Sequence, residues 1–392
     1  MFIAGKHYIG TITNDIKAVE LALTNRVLQG GAMTAAEANE YDRKVQELSE
    51  GRNVVLLGAG GLPSVMVRLQ PYKCSELISG TGDLPHPAFI VANTMKPEIF
   101  VAKYQAKVIS IGSPLVAYAV SLRGVDPAAT IDYTNSKAAC DNNGTGWHMI
   151  TNAEFAFISL LARKRGFSFR GNNYYGAAYD ITSEVGRPSS MDATRVLHTL
   201  TGSGPNTWAH DGTPFGVCDL NGNVWEWCQG LRTIGGEIQI IANNDAADKT
   251  IDTGASSALW KAITAADGTL VAPNGTGTTT GALRWIWVDT KWVLSSTTAT
   301  LQEVSRDCAF SNVGVQEGVA APNLLKLLAL HPEGTLNHVG RFYLNDVLSE
   351  RVPSRGGAYY NTSNAGPFAL YLNYNRGNTY AGLGFRSAFV KL

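Results

Sequence analysis

The sequence predicts an α+β chain, and three observations carry that expectation. Apolar residues recur at helical spacing within residues 15–48. From about Leu84 onward, short apolar or alternating runs are broken by Gly, Asn, Asp and Thr, the texture of strands joined by turns. The chain also holds 41 glycines in 392 residues, which supply many special backbone turns. Hydrophobic content of 45% suffices for a large core, and the length suits two or three domains. Lys plus Arg and Asp plus Glu number 32 each, and only 16% of residues are charged, against roughly 25% in an average soluble protein. That balance argues against nucleic-acid binding, which needs excess cations to neutralise phosphates, and against a polybasic membrane-surface role.

The elements follow in order. Asp15 to Leu28 reads as a helix capped by Asn14 and stopped by Gly30. Thr34 to Leu48 reads as a second, more polar helix. Thr34 and Glu37 stand at capping-box spacing and Gly51 follows its end. Asn53 to Leu57 is a short strand leading into Gly58-Ala-Gly-Gly-Leu-Pro63. A tight turn is expected there, because no third glycine opens a helix as a dinucleotide loop requires. Two polar helices seldom make a core alone, so residues 1–80 are expected to be an assembly or attachment module. Pro87 to Val91 suits a buried strand, and Ile99 to Ile109 a half-exposed one. Asn152 to Lys164 is a helix with Thr151 as N-cap, Glu154 as its reciprocal partner and Gly166 at its end. Residues 233–319 read as a β-rich insertion containing a hairpin, 282–289 and 291–294, turning at Asp289-Thr290. No repeat period of roughly 20–50 residues marks a solenoid or propeller.

The start, MFIAGKHYIG, lacks the apolar stretch and cleavage site of a signal peptide. The longest apolar run, Val54 to Val67, is broken by glycines and Pro63 and falls short of the ~20 residues that span a bilayer. The expectation is a chain made in the cytoplasm without membrane insertion. Cys74, Cys140, Cys218, Cys228 and Cys308 form no CxxC pair and read as buried free thiols. Their spacing leaves a Cys218–Cys228 bridge open.

The most specific local sequence is Gly216-Val-Cys-Asp-Leu-Asn-Gly-Asn-Val-Trp-Glu-Trp227, followed later by Ser354-Arg-Gly-Gly357 and Gly384-Phe-Arg386. On an extended segment Trp225 and Trp227 face one side as core, and Glu226 turns the other way toward a polar site. With Thr151-Asn-Ala-Glu-Phe155, these strings resemble the formylglycine-generating-enzyme-like branch of the C-type lectin fold, over roughly residues 81–392. In the enzymes of that family the Asn-Gly-x-Val-x-Glu stretch helps hold calcium, which here implies Asn221, Gly222, Val224 and Glu226 as an optional calcium site; hard oxygen ligands suit that ion. The oxidases of the family bind copper through a cysteine pair near the C-terminal end, and soft thiolates suit Cu(I). Here the matching positions are Phe368 and Asn373, and no cysteine follows Cys308. Related iron-dependent sulfoxide synthases use a histidine cluster in an added domain, whereas residues 1–147 hold only His7 and His86. His148 and His210-Asp211 have no motif-placed nucleophile beside them. The fold is expected to be kept without a catalytic site or a required cofactor.

The segment 358–383, AYYNTSNAGPFALYLNYNRGNTYAGL, carries five Tyr and five Asn, and Arg376 is its only charge. Asn disfavours a core strand, and abundant aromatics disfavour a disordered linker. The composition matches an antibody paratope, in which Tyr gives rigid contact area and Asn, Ser and Gly give adaptable hydrogen bonds. The segment also resembles the C-terminal repeat of the variable proteins of diversity-generating retroelements, the family of phage tropism determinants. Its frame is Arg355-Gly-Gly357, Ser363 to Leu370, Arg376 and Gly384-Phe-Arg386. The resemblance implies diversified ligand-contacting positions at Ala358, Tyr359, Tyr360, Asn361, Thr362, Tyr371, Asn373, Tyr374, Asn375, Gly377, Asn378, Tyr380, Ala381 and Gly382. Asn364 lies inside the frame but is of the variable type. The strings 206–216 and 235–241 resemble phage-borne members.

The expected organisation is therefore an N-terminal helical/mixed assembly module (1–80) before a C-type-lectin-fold ligand-binding domain (81–392), with an insertion at 233–319 and a variable region at 355–389. The expected role is recognition of a bacterial surface protein or glycan by a phage or prophage tail-tip protein, on a virion or displayed at a bacterial surface. Partners would be virion tail proteins and further copies of the chain, with a trimer by analogy to phage fibres. The alternatives are a formylglycine-generating-type metal oxidase and a structural virion or cell-surface protein.

Overall fold

The computed structural model describes residues 2–298, 300–334 and 338–392, and for residues 2–13 the helical backbone alone. Its longer helices are α1 (Phe2–Gly30), α2 (Ala35–Ser49), α3 (Tyr133–Asp141) and α4 (Asn152–Lys164). Two central sheets are built from β1 (Asn53–Leu57), β2 (Pro63–Leu69), β3 (Ile99–Ala102), β4 (Trp147–Met149), β5 (Trp225–Trp227), β6 (Ser305–Ala309), β7 (Arg341–Asn345), β8 (Ser354–Gly356), β9 (Gly366–Leu372), β10 (Leu383–Phe385) and β11 (Ser387–Phe389). The molecule is mixed, mostly sheet with few helices.

The first sheet is antiparallel in the order β1-β2-β3-β11-β4. It crosses residue 80: the hairpin β1–β2 pairs directly with β3, so the segment assigned to a separate module is an edge of the main sheet. Leu23 and Val27 of α1 and Val45 of α2 share a buried cluster with Val55, Val65, Tyr104 and Leu122. An ion pair completes the attachment. Glu20 of α1 is fully buried, 2.6 Å from Lys103 Nζ and 2.6 Å from the Tyr104 hydroxyl. The Lys103 ammonium also donates to Asn53 Oδ1 at 2.9 Å.

Local expectations met the structure unevenly. Thr34 and Glu37 form a reciprocal capping box on α2, and Thr151 and Glu154 form one on α4. The first helix begins well before Asp15, so Asn14 lies inside it and is not its cap. Ile9, Ile12, Ile16 and Val19 already stand at helical spacing across that point. Pro87 to Phe89 is a 3-10 turn, with His86 Nδ1 accepting from the Ala88 amide, before a two-residue strand. The expected strand 99–109 breaks at Lys103, Tyr104 and Gln105. All three side chains are buried, which a half-exposed strand cannot provide. All five cysteines are free, including Cys218 and Cys228.

The second sheet runs β6-β7-β9-β8-β5-β10. The motif strand β5 lies inside it, with Glu226 opposite Arg355 of β8 and Gly384 of β10. Most of the insertion forms a separate seven-stranded sheet over residues 231–315, and its hairpin is Arg284–Val288 with Lys291–Ser295. One strand of the insertion escapes that sheet: β6 pairs with β7 and becomes the outer edge of the motif sheet.

Replacing Glu20 by Ala leaves Lys103 buried without its counter-charge, a defect costing about 3–5 kcal/mol. The urea midpoint of Glu20→Ala is expected to fall sharply. The unfolding free energy of Asp15→Ala, an exposed position, should stay within about 0.5 kcal/mol of the parent.

Candidate binding face

The motif strand sorts its side chains as its alternation requires. Trp225 and Trp227 enter one buried cluster with Tyr133, Val352, Leu383 and Phe385. Glu226 points to the opposite side, where Arg386 donates two hydrogen bonds to its carboxylate, at 2.5 and 2.6 Å. Arg386 also reaches the Ala102 and Cys218 carbonyls at 2.9 Å each, so the chain between β10 and β11 is tied to β3 and the motif at one buried point. Arg355 is equally buried, donates to Asn152 Oδ1 at the start of α4, and is drawn down to about 10 by burial. Glu226, Arg355 and Arg386 are therefore scaffold.

The implied calcium ligands are not free to hold an ion. Gln105 Nε2 lies 3.3 Å from the Gly222 carbonyl oxygen, 3.1 Å from that of Val224 and 3.1 Å from Glu226 Oε1, filling the point on which they converge. Asn221 is turned away: its carbonyl oxygen packs onto Gly171, where a Cβ would collide with it. Its side-chain amide donates to the Phe169 carbonyl. Gly222 has φ 83° and passes the Asn172 carbonyl too closely for any side chain. Among the described residues, no three His, Cys, Asp or Glu side chains gather as a metal site.

The histidines considered for acid–base work hold structure together. His148 Nε2 lies 2.9 Å from Glu154 Oε1 in the core. His210 Nδ1 accepts from the Val217 amide, and burial pushes its pKa down to about 4. Phe368 is core, packed on His338 and Phe310, while Asn373 sits at the rim and bonds Ser305.

The Tyr/Asn segment surrounds β9 as two loops, 358–365 and 373–382, with Tyr371 between them. Backbone hydrogen bonds strap the second loop down: Val352 N to Tyr374 O, Tyr133 N to Arg376 O, Thr130 N to Tyr380 O and Trp225 N to Gly382 O. Side chains of three asparagines shape the loops themselves, since Asn361, Asn375 and Asn378 accept from the amides of Ala358, Gly377 and Asn375. The implied contact positions divide accordingly. Ala358, Tyr359 and Gly382 are buried, and Tyr360, Asn361, Thr362, Asn364, Tyr371, Asn373, Tyr374 and Asn378 are half-buried. Asn375, Gly377, Tyr380 and Ala381 are exposed. Buried Ala358 and Gly382, side by side beneath Tyr360, are floor and not contact surface.

Two runs of aromatic rings line this face and meet in the apolar cluster around Trp225 and Trp227. Tyr371 packs on Trp225, Tyr343 and Tyr374, and Tyr374 on Trp227. Burial raises the hydroxyl pKa of Tyr360 and Tyr371, so both stay neutral donors. On the other side the chain of rings leaves the segment: Tyr380, Tyr360, Tyr359, Tyr175, Tyr174 and Tyr179 touch in succession, with centroids 5.0–6.2 Å apart. Tyr174 and Tyr179 are 44% and 46% exposed, more than Tyr380 at 38%. Sequence reading missed these three tyrosines; the Asn172-Asn-Tyr-Tyr175 string, with its paratope composition, was the available signal.

Arg376, the one charge, does not face outward for a ligand. It donates to Glu350 at 2.6 and 3.0 Å and to the Thr253 carbonyl at 2.8 Å, and lies over the Tyr133 ring. It thereby fastens the second loop to the insertion. Beside it opens a cleft of about 430 Å³ between α3 and residues 249–255.

No protein-family profile and no curated protein sequence matches the chain. Solved structures similar to it include two kinds. One is PvdO from Pseudomonas aeruginosa, at 14% identity and a TM-score of 0.33, covering 86% of this chain and 98% of that one. The other is the Major Tropism Determinant: the I1 variant has 12% identity and a TM-score of 0.29, and the P3c variant 12% and 0.30. They cover 78% and 84% of this chain, which spans 53% and 65% of theirs.

Thr362 carries φ 54°, a left-handed conformation that costs a β-branched residue about 1–2 kcal/mol. Thr362→Asn is expected to raise the urea midpoint, because Asn tolerates this region, whereas Thr362→Val should not.

Proposed function

We propose that this chain is a ligand-recognition protein of the diversified type, with a C-type-lectin-like domain whose Tyr/Asn loops meet a bacterial surface molecule. The observation that carries the reading is the aromatic surface: two runs of tyrosines, one of them anchored on the buried Trp225 and Trp227 indoles, mixed with amides and almost free of unpaired charge. Tyrosines held in this way lose little conformational entropy on binding, and each presents an apolar body with a hydroxyl tip. The second loop is held to its neighbours through backbone bonds, so the exposed residues at 380 and 381 can change without altering the sheet beneath them. Buried scaffold arginines at both ends of the segment favour the same division between a fixed frame and variable positions. The reading assigns no bond-making chemistry to the face. Single sites of this kind bind modestly, and several copies on a tail fibre or cell surface raise avidity. A homo-oligomer seated on virion tail proteins is the arrangement proposed. No helix among the described residues is long and apolar enough to cross a membrane.

Tyr380→Ala and Tyr179→Ala, tested singly and together with Tyr174→Ala, should reduce adsorption of the purified chain to a panel of whole bacteria by about 10-fold or more, the range of an interface hot spot. Their thermal midpoints should match the parent. Unchanged adsorption with unchanged folding would refute the recognition role. The DNA beside the gene supplies the second check: a template repeat differing from codons 355–389 at adenines, next to a reverse transcriptase, is expected.

A further inference from the structure

The Gln105 side chain is fully buried immediately after β3, and its Nε2 has four oxygen neighbours. They are the carbonyls of Asp219 at 3.0 Å, Gly222 at 3.3 Å and Val224 at 3.1 Å, and Glu226 Oε1 at 3.1 Å. A primary amide has only two N–H groups to offer. Four acceptors around two hydrogens leave an excess of negative potential, and three carbonyls with a carboxylate is a donor set that hard divalent cations prefer. The amide is held with its nitrogen inward because Gln105 Oε1 accepts from Asn223 Nδ2 at 2.9 Å. The carboxylate charge of Glu226 is met by Arg386, which donates to both of its oxygens.

We propose that Gln105 is a built-in replacement for a divalent cation: its amide fills an oxygen cage that would otherwise bind calcium, so the motif is held by a covalently attached donor and not by an ion. Chain connectivity links the cage to the face above it. Asn223, which orients the amide, accepts the Tyr359 amide through its carbonyl, and the Gly222 amide donates to Gly356. An ion would make the geometry of those loops depend on free calcium. The amide makes it independent. The inference stands apart from the recognition reading, since it concerns what holds the motif and not what the face binds.

The full-length chain is compared with Gln105→Ala and Gln105→Ser in calcium and in EGTA, by thermal melting and by terbium luminescence excited through Trp225 and Trp227. The parent should show neither a calcium-dependent melting shift nor sensitised terbium emission. Both variants should melt lower in EGTA and recover by about 5 °C in calcium at ~100-fold above its Kd, with saturable terbium emission. Adding Glu226→Gln to Gln105→Ser should abolish both responses. The proposal is overturned if the parent itself binds terbium at this site. It is equally overturned if neither variant, folded or unfolded in EGTA, responds to millimolar calcium, or if the response survives Glu226→Gln.

Discussion

Everything at the face rests on the buried carboxylate of Glu226. A lone carboxylate in that position would be prohibitively unfavourable, because burial removes its hydration. The chain compensates from two directions. Arg386, arriving between β10 and β11, pairs with both oxygens, and Gln105, arriving after β3, caps one of them while gathering three neighbouring carbonyls. These partners lie 160 and 121 residues away in sequence, so the motif is ordered only when both ends of the domain are in place. The nearby Asp219 carboxyl is buried as well, which pushes its pKa up to about 6.

From that node the order propagates outward. Glu226 fixes β5, whose two indoles form the floor under Tyr371 and Tyr374, and β5 in turn holds β10 and the end of the second loop. The only charge of the loops is spent inside the molecule, on Glu350 and Thr253. A surface arranged this way exerts little long-range field. Its selectivity must come from contact: ring faces, hydroxyl tips and amides presented at fixed positions. The insertion contributes by lending β6 to the outer edge of the sheet and its 249–255 loop to the anchoring of Arg376.

Much of this organisation was legible in the residues. Capping boxes at Thr34 and Thr151, the strand at 53–57, the hairpin at Asp289-Thr290 and the sidedness of Trp225, Glu226 and Trp227 are all short-range patterns. Each is decided by neighbours within about four positions, through periodicity, cap chemistry or turn chemistry. The density of Tyr and Asn in 358–383, and the scarcity of charge there, likewise belong to the sequence alone.

Other properties depended on groups far apart in the chain, and there the sequence was silent or misleading. Residues 1–80 read as an attachment module because two polar helices seldom make a core alone, yet Glu20 finds its cation at Lys103 and β2 finds its partner in β3. Ala358 and Gly382 have the composition of variable positions, but the tertiary structure places them under Tyr360. Tyr174, Tyr175 and Tyr179, some 180 residues before Tyr359, join the face only through folding. Local pattern thus determined which elements form and which segment is chemically suited to contact. Long-range packing decided which side chains reach the surface, because burial is a property of what lies on top of a residue, and no spacing rule encodes that.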